Sequence, residues 1–300
     1  MSTPEPRAGV IVNPTKADQR VREAIGKIFA DAGLPAPDQR ETTPEDAGRG
    51  VARELLRAGR TPLLVAGGDG TVREVCTAAA GTGTPVVIVP LGTGNLLARN
   101  LDLPLEPEPA LDAVVDPADR RIDLARVGGD GLPAGGYVVM AGMGFDAAMM
   151  ADAPEGLKAR VGALAYVLSG LRHLRDRAFA VQVSVDGETT RHRARMVLVG
   201  NVGSLQGGIQ VLPDARPDDG TLDVAVLAPR RLRDWLHIAW HVIRRSRRTD
   251  ARLVRRSGRR IEIHADRAVA RELDGDPVAP GRELTITADP GAVLIRGPRS

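Results

Sequence analysis

The first third of the chain alternates short, wholly apolar segments with amphipathic ones. Residues 9–12, 63–66 and 85–89 are apolar throughout, as expected of strands that are buried on both faces. Between and after them, apolar residues recur every three or four positions, which predicts helices. These helices are expected at residues 21–30, 46–58, 72–80 and 96–101. Buried strands that alternate with helices are typical of an α/β domain with a parallel sheet.

The pattern changes near residue 122, where strand-like segments separated by turns begin to dominate. Strands are expected at 122–127, 137–141, 180–185, 193–199, 221–226, 260–264, 268–273 and 283–288, and helices at 161–174 and 231–248. Turns are expected at Asp186-Gly187, Asp219-Gly220 and Asp274-Gly275. This predicts an α/β domain over residues 1–122, completed by residues 289–300, and a mostly antiparallel, β-rich domain over residues 123–288.

Charge is distributed unevenly along the chain. Its 41 basic and 38 acidic residues give a net charge of only +3. The stretch that begins at Arg230 and ends at Arg260, however, holds twelve arginines and two acidic residues, a local charge of +10. Such a basic patch suits an anionic surface. The single cysteine, Cys76, excludes an internal disulfide, and the absence of a long apolar run or leader favours a cytoplasmic protein.

The sequence LVAGGDGT at residues 64–71 places a glycine-rich turn between a strand and a helix. Gly67, Gly68 and Gly70 allow the backbone to approach a ligand closely, and the helix start offers free N–H groups to phosphate. A carboxylate at Asp69 would repel phosphate unless Mg²⁺ lies between them. The alternative is a tight turn in which Asp69 caps a helix.

A second turn of this type, PLGTGNLLA, follows the next strand at residues 90–98. Gly92 and Gly94 permit close approach, and Thr93 and Asn95 supply hydroxyl and amide donors. Turns on adjacent parallel strands face one crevice at the carboxyl ends of those strands. The sequence contains neither the GxxxxGK[ST] phosphate-binding signature nor a strand-linked GxGxxG.

Six motifs in order give the chain a family resemblance between about residues 8 and 290. They are VIVNPTKA (10–17), GGDGT (67–71), PLGTGN (90–95), GMGFDA (142–147), LPDARPDDGTLDV (212–224) and ELDGDPV (272–278). This set resembles the diacylglycerol kinase catalytic domain, and more narrowly the soluble bacterial lipid kinases of the diacylglycerol and sphingosine kinase superfamily. The resemblance implies a nucleotide-binding first domain, a lipid-substrate second domain and an active site in the cleft between them.

The resemblance also implies roles for individual residues in an ATP- and Mg²⁺-dependent lipid kinase. Asp276 would accept the proton of the lipid hydroxyl, and Asp69 would act on Mg–ATP. A structural Mg²⁺ would be held by the Asp219 carboxylate and the carbonyls of Arg216 and Thr221. Contacts to ATP are implied for Asn13, Thr42 (with Thr43 as an alternative), Gly67, Gly68, Asp69, Gly70, Thr71, Val72, Arg73 and Thr93, to which Asn95 is added as an amide donor.

Three departures from the family pattern leave alternatives open. Arg73 replaces an Asn, Lys16-Ala17 replaces Ser-Gly, and Asp276 is shorter than the usual Glu, so Asp274 is kept as a second candidate for the acid. The alternatives are an NAD kinase-like phosphotransferase and a homologue that binds nucleotide or membrane without catalysis. We expect a lipid substrate, docking of the 230–260 stretch on the inner face of the cell membrane, and no nucleic acid. The identity of the lipid and a homodimeric assembly stay open.

Overall fold

The structure is a computed structural model that describes residues 7–144, 178–204, 210–229, 231–244 and 252–299. The helix expected at 161–174 lies outside these residues. The chain divides into two compact units. Unit 1 comprises residues 1–124 and 290–300, and unit 2 comprises residues 125–289. The first boundary was expected after residue 122 and falls after residue 124, and the second was expected after residue 288 and falls after residue 289.

Unit 1 contains a parallel sheet, as the apolar segments predicted. Its strands are β1 (Gly9–Val12), β2 (Asp38–Glu41), β3 (Leu63–Gly67) and β4 (Pro85–Pro90), and they lie in the order β2-β1-β3-β4. The last strand of the chain, β14 (Asp276–Pro298), adds residues Leu294 to Arg296 beside β4, again in parallel. β2 has the polar sequence DQRE because it lies at the sheet edge, and for that reason hydrophobicity did not reveal it.

Three of the five helices in the described part of unit 1 connect these strands, and the other two follow β4. They are α1 (Gln19–Asp31), α2 (Arg49–Arg57), α3 (Asp69–Ala79), α4 (Leu96–Asn100) and α5 (Pro107–Leu111), the last followed by a 3₁₀ turn at Asp112–Val114. α2 begins three residues later than expected because the Asp46 carboxylate accepts hydrogen bonds from the amides of Gly48, Gly50 and Val51. α3 begins three residues earlier than expected, directly at Asp69.

One apolar cluster joins the sheet of unit 1 to α1. Ile25 and Phe29 of α1 pack against Val10, Leu64 and Val87, which come from three neighbouring strands. All five side chains are buried. Because this core is formed by Val, Leu and Ile from the centre of the sheet, it fixes the strands whose carboxyl ends carry the glycine-rich turns.

Unit 2 is built from antiparallel pairs, as expected. Its strands follow the order β12-β11-β10-β7-β13-β14, with β8 and β9 paired alongside the first part of β13 and with β5 paired to β6. The strand β5 (Pro117–Gly129) begins in unit 1 and enters unit 2 at Ala125. The other strands are β6 (Leu132–Tyr137), β7 (Met140–Met143), β8 (Phe179–Val185), β9 (Glu188–Ala194), β10 (Met196–Gly200), β11 (Leu222–Leu227), β12 (Leu253–Gly258) and β13 (Arg260–Leu273).

Three of the strand boundaries expected in unit 2 were wrong. The segment 137–141 breaks between β6 and β7, and 193–199 divides between β9 and β10. The two strands expected at 260–264 and 268–273 form one strand, β13, with irregular register between His264 and Arg271. Sequence periodicity missed these features because the breaks and the bulge depend on pairing with distant strands.

The arginine-rich stretch contains a helix and a strand. The helix α6 (Leu232–Ile243) falls within the expected 231–248, and β12 follows it. The Asp234 carboxylate accepts a hydrogen bond from the amide of Arg231 and pairs with Arg252 at 3.0 Å. Among the residues that the structure describes, no helix combines the length and the apolar character needed to cross a bilayer.

Candidate active site

The sequence-predicted nucleotide residues of unit 1 follow the ends of four neighbouring parallel strands. Asn13 follows β1, Thr42 follows β2, Gly68 follows β3, and the PLGTGN turn begins at the end of β4. Because parallel strands end at one edge of a sheet, these segments lie side by side. The first requirement for a shared site in unit 1 is therefore met.

The two glycine-rich turns lie in direct contact. A Cβ atom built on Gly92 would lie 3.0 Å from the Cα of Gly68, so a side chain on Gly92 would press against the backbone of the first turn. The amide of Leu91 also donates to the carbonyl of Gly67. Gly68 is extended, with φ near −95°, and α3 begins at the next residue. The first-turn N–H groups of this eleven-residue helix therefore emerge beside the second turn.

The Asp69 carboxylate connects these two turns. Its Oδ2 accepts a hydrogen bond from the Asn95 amide at 3.0 Å, and its Oδ1 accepts one from the Leu96 amide at 2.6 Å. Burial raises the pKa of the Asp69 carboxyl, whereas these two amides and the charge of Lys16 oppose the rise. Asp69 thus caps the start of α4 rather than its own helix, and this cap is a tertiary contact.

The Asn95 side chain completes the second turn. Asn95 adopts a left-handed conformation with φ of 47°, and its Oδ1 accepts a hydrogen bond from the Gly92 amide at 2.8 Å. Since Asn tolerates this conformation better than most residues and its side chain closes the turn, the turn favours this residue type. Thr93, in the same turn, is exposed.

The NP turn after β1 reaches the same place. The Nδ2 of Asn13 donates to the Thr71 hydroxyl at 3.5 Å, which joins this turn to the first turn of α3. The amino group of Lys16 lies over Gly68, since a Cβ atom on Gly68 would come within 2.2 Å of it. The sequence singled out Lys16 only as a departure from the family pattern and gave it no role.

Other predicted nucleotide residues lie in the same unit with different surroundings. Thr42 is buried, whereas the hydroxyl of Thr43 accepts a hydrogen bond from the Asp46 amide. Val72 is buried in the core. The side chain of Arg73 contacts Glu74, which also pairs with Arg49. Arg73 is thus part of an ion-pair network on α2 and α3.

Unit 2 carries the predicted acid on a tight turn between β13 and β14. Asp274 and Gly275 both have positive φ, 50° and 88°, as in a two-residue hairpin turn, and Asp276 is the first residue of β14. The buried Asp274 carboxylate accepts hydrogen bonds from the amides of Val138, Val139 and Met140 at 2.8 to 3.1 Å. These bonds occupy the break between β6 and β7 and hold the turn in place.

Glu272 is a second acid that faces the same turn. Its Oε2 accepts a hydrogen bond from the Gly275 amide at 2.7 Å, and Gly142 of the GMGFDA motif lies against its side chain. Burial raises the pKa of Tyr137, and the charges of Asp274 and Glu272 raise it further. Nothing in the segment ELDGDPV distinguished Glu272 from a surface acid, because its burial arises from pairing with β7.

The acidic turn that was predicted to bind a structural Mg²⁺ lies elsewhere in unit 2. The Oδ1 of Asp219 accepts hydrogen bonds from the amide and hydroxyl of Thr221. Burial raises the pKa of the nearby Asp223, and the charges of Asp219 and Asp214 raise it further. This accumulation of negative charge fits a hard cation. Within the described residues, no cluster of three or more His, Cys, Asp or Glu side chains is suited to a metal. The predicted set, one carboxylate with the carbonyls of Arg216 and Thr221, does not require such a cluster.

We expect Asp274→Asn to lower the free energy of unfolding by about 1–3 kcal/mol, because an amide NH₂ would then face a buried N–H donor. The half-buried Asp276 offers a control, and Asp276→Asn should change stability by no more than about 0.5 kcal/mol. Urea denaturation followed by circular dichroism measures both. An Asp274→Asn variant as stable as the parent would show that the three amide bonds do not hold the turn.

Two family models match the chain, one in each part. The diacylglycerol kinase catalytic domain matches residues 7–127. The YegS C-terminal NAD kinase beta sandwich-like domain matches residues 138–296, which is more than half of the chain. The second match includes the ELDGDPV turn and the acidic turn at Asp219. The same pair of domains therefore covers both groups of predicted site residues.

Relatives and solved structures agree with these matches. A protein of Pseudomonas fluorescens named "probable lipid kinase YegS-like" is 36% identical over 83% of this chain and 81% of its own length. A protein of Pseudomonas putida with the same name is 34% identical over 94% of this chain and 91% of its own length. A diacylglycerol kinase structure from Bacillus anthracis, 22% identical, covers 98% of this chain and 97% of its own, with a TM-score of 0.70. The chain thus belongs to the YegS-like lipid kinases, phosphotransferases that have an alcohol group as acceptor.

Proposed function

We propose that this lipid kinase transfers the γ-phosphoryl group of Mg–ATP to the hydroxyl of diacylglycerol or a closely similar lipid. The observation that carries the proposal is the contact between the two glycine-rich turns, fixed by Asp69, at the carboxyl edge of the parallel sheet in unit 1. The matches to the diacylglycerol kinase catalytic domain and to YegS-like relatives support the reaction class.

The phosphates would bind where α3 begins. The N–H groups in the first turn of this helix lack partners within the helix and, with the helix dipole, favour an anion. Gly68 and Gly92 bring the two turns together at this point without side chains of their own. The exposed Thr93 hydroxyl adds a donor. A second strand-end segment, from Asn13 to Lys16, borders the same place.

Asp69 would act on the phosphoryl donor chiefly by holding the two turns that bind it. Both of its oxygens already accept backbone hydrogen bonds, so the carboxylate fixes the spacing of the two turns while keeping a negative charge near the phosphates. Mg²⁺, when bound, would neutralise charge on the phosphate oxygens. Each Asp69 oxygen retains a lone pair that could face the ion directly or through water.

Asp276 would accept the proton of the lipid hydroxyl. As the hydroxyl oxygen bonds to the γ-phosphorus, the bond between that phosphorus and the bridging oxygen of ADP breaks, and the proton passes to the carboxylate. Asp274 is less suited, because three backbone amides engage its buried carboxylate. A structural Mg²⁺ at Asp219, with the carbonyls of Arg216 and Thr221, is part of the proposal.

We also propose that α6 and the basic stretch around it dock the kinase on the inner face of the cell membrane. The Trp240 side chain is 54% exposed, and the guanidinium of Arg244 lies 4.1 Å from the centre of its ring. An exposed Trp under a cationic group on an amphipathic helix suits the boundary between headgroups and acyl chains. Diacylglycerol resides in that layer, so docking would bring the enzyme to its substrate.

Substitution of Gly68 by Val should weaken Mg–ATP binding at least tenfold, because the new side chain would occupy the space between Gly92 and the Lys16 amino group. Isothermal titration calorimetry measures this affinity. Gly26→Ala on α1 is the control, since a Cβ there meets nothing within 4 Å. A folded Gly68→Val variant with the parent's affinity would contradict the proposed nucleotide site.

Substitution of Asp276 by Asn should lower kcat on diacylglycerol about 100-fold or more, the usual effect of losing a general base. The affinity for Mg–ATP should stay unchanged, because every proposed contact to ATP comes from a residue of unit 1. The control is Asp266→Asn at an exposed position of β13. Transfer of labelled phosphate to lipid in mixed micelles provides the rate. Parent-like turnover in Asp276→Asn would exclude Asp276 as the proton acceptor.

Binding to vesicles of phosphatidylglycerol should fall steeply as salt rises, since surface attraction is screened over about 8 Å at physiological ionic strength. Replacing Arg244, Arg245, Arg247 and Arg248 with Gln should reproduce this loss at low salt. A charge-matched control replaces four exposed arginines elsewhere, Arg20, Arg57, Arg191 and Arg193. If the first variant sediments with the vesicles as well as the parent does, the basic stretch does not dock the membrane.

A further inference from the structure

The backbone of the NP turn fixes the position of Lys16. The carbonyl of Asn13 accepts hydrogen bonds from the amides of Lys16 at 3.1 Å and Ala17 at 2.9 Å. The Asn13 side chain binds the amide of Thr15 at 3.0 Å on one side and the Thr71 hydroxyl on the other. Lys16 is therefore carried by a turn that is tied both to β1 and to the start of α3.

The amino group of Lys16 lies at the junction of the two glycine-rich turns. A Cβ atom on Gly68 would come within 2.2 Å of its Nζ and 3.3 Å of its Cε, so the side chain crosses the face of Gly68 that has no side chain. The Cα of Gly92 lies on that face too, 3.5 Å from the same Cβ position. The ammonium group thus lies where the backbones of the two turns come together in the proposed phosphate site.

Lys16 forms no salt bridge with another side chain in the described part of the chain. Asp69 is near enough for the Lys16 charge to oppose the rise in its pKa that burial causes. Its two oxygens nevertheless accept hydrogen bonds from Asn95 and Leu96, and no carboxylate among the described residues lies within 4 Å of the Lys16 amino group. The ammonium therefore keeps its donors for a ligand.

We propose that the Lys16 Nζ binds the polyphosphate of the donor nucleotide across Gly68. The proposal rests on the proposed function and adds a nucleotide-binding residue to it. The lysine supplies a full positive charge beside the partial positive charge of the α3 N-terminus, and its flexible stem lets the ammonium follow the phosphates. It also gives a reason for Gly68: a side chain there would displace the ammonium group.

The test compares Lys16→Ala and Lys16→Arg with the parent by isothermal titration calorimetry. Mg–ATP, Mg–ADP and adenosine are the probes, at low and physiological salt. In Lys16→Ala, ATP affinity should fall about tenfold or more, as expected for one lost hydrogen bond between charged groups. Adenosine affinity should stay unchanged, and Lys16→Arg should retain part of the ATP affinity. Lys27→Ala, an exposed lysine on α1, is the matched control.

Each other outcome overturns the proposal in a distinguishable way. If the parent itself does not bind ATP, the proposed function fails and the role of Lys16 fails with it. If the parent binds ATP and Lys16→Ala binds it equally well, only the role of Lys16 fails. Equal losses for ATP and adenosine would indicate a structural role instead.

A phosphate on an anionic lipid has the same chemistry as a nucleotide phosphate, so a second arm separates the two sources. Parent and Lys16→Ala are sedimented with phosphatidylglycerol vesicles without nucleotide, and both should bind equally. A loss of vesicle binding in Lys16→Ala, with unchanged ATP affinity, would make Lys16 a membrane contact and overturn the proposal.

Discussion

The pair of hydrogen bonds from the amides of Asn95 and Leu96 to the Asp69 carboxylate is the constraint on which the site in unit 1 depends. The bonds join the ends of the parallel strands β3 and β4, whose paired residues are 23 positions apart in the chain. At this point the backbones of Gly68 and Gly92 are also in contact. Hydrogen bonds to a charged acceptor contribute about 1.5–3 kcal/mol each. Burial raises the pKa of this carboxyl, and the two amides and the charge of Lys16 oppose that rise.

Unit 2 uses the same device for the turn that carries Asp276. Three consecutive amides, from Val138 to Met140, donate to the buried carboxylate of Asp274, and the interruption between β6 and β7 exists where those amides leave the strand ladder. In both units a carboxylate that could be taken for a reactive group is engaged by backbone donors. A residue close by in the chain, Gly68 beside Asp69 and Asp276 two residues after Asp274, is then held in a fixed position.

Arginine residues of unit 2 have two contrasting roles, one inside the fold and one at the surface. Arg271 is fully buried and donates to Asp130 and to the carbonyls of Ala279 and Glu283, which satisfies its guanidinium within the fold. Arg244, by contrast, lies over the exposed Trp240 ring. Part of the charge in residues 230–260 is offset within the fold, because Arg252, Arg256 and Arg260 pair with carboxylates. The local charge of +10 therefore overstates what this stretch offers to a surface.

The sequence by itself determined the α/β and antiparallel halves, the two glycine-rich turns and the family, because apolar periodicity and turn chemistry are local properties. Edge strand β2 and the division of 137–141 escaped it, since a polar edge and a broken strand depend on distant partners. Only the tertiary structure decided what each acid does. Asp69 and Asp274 read alike as reactive carboxylates in the sequence, yet their oxygens face backbone amides that are 26 and more than 130 residues away. The position of the Lys16 ammonium over Gly68 was likewise decided by the packing of two turns from different strands, which no local pattern records.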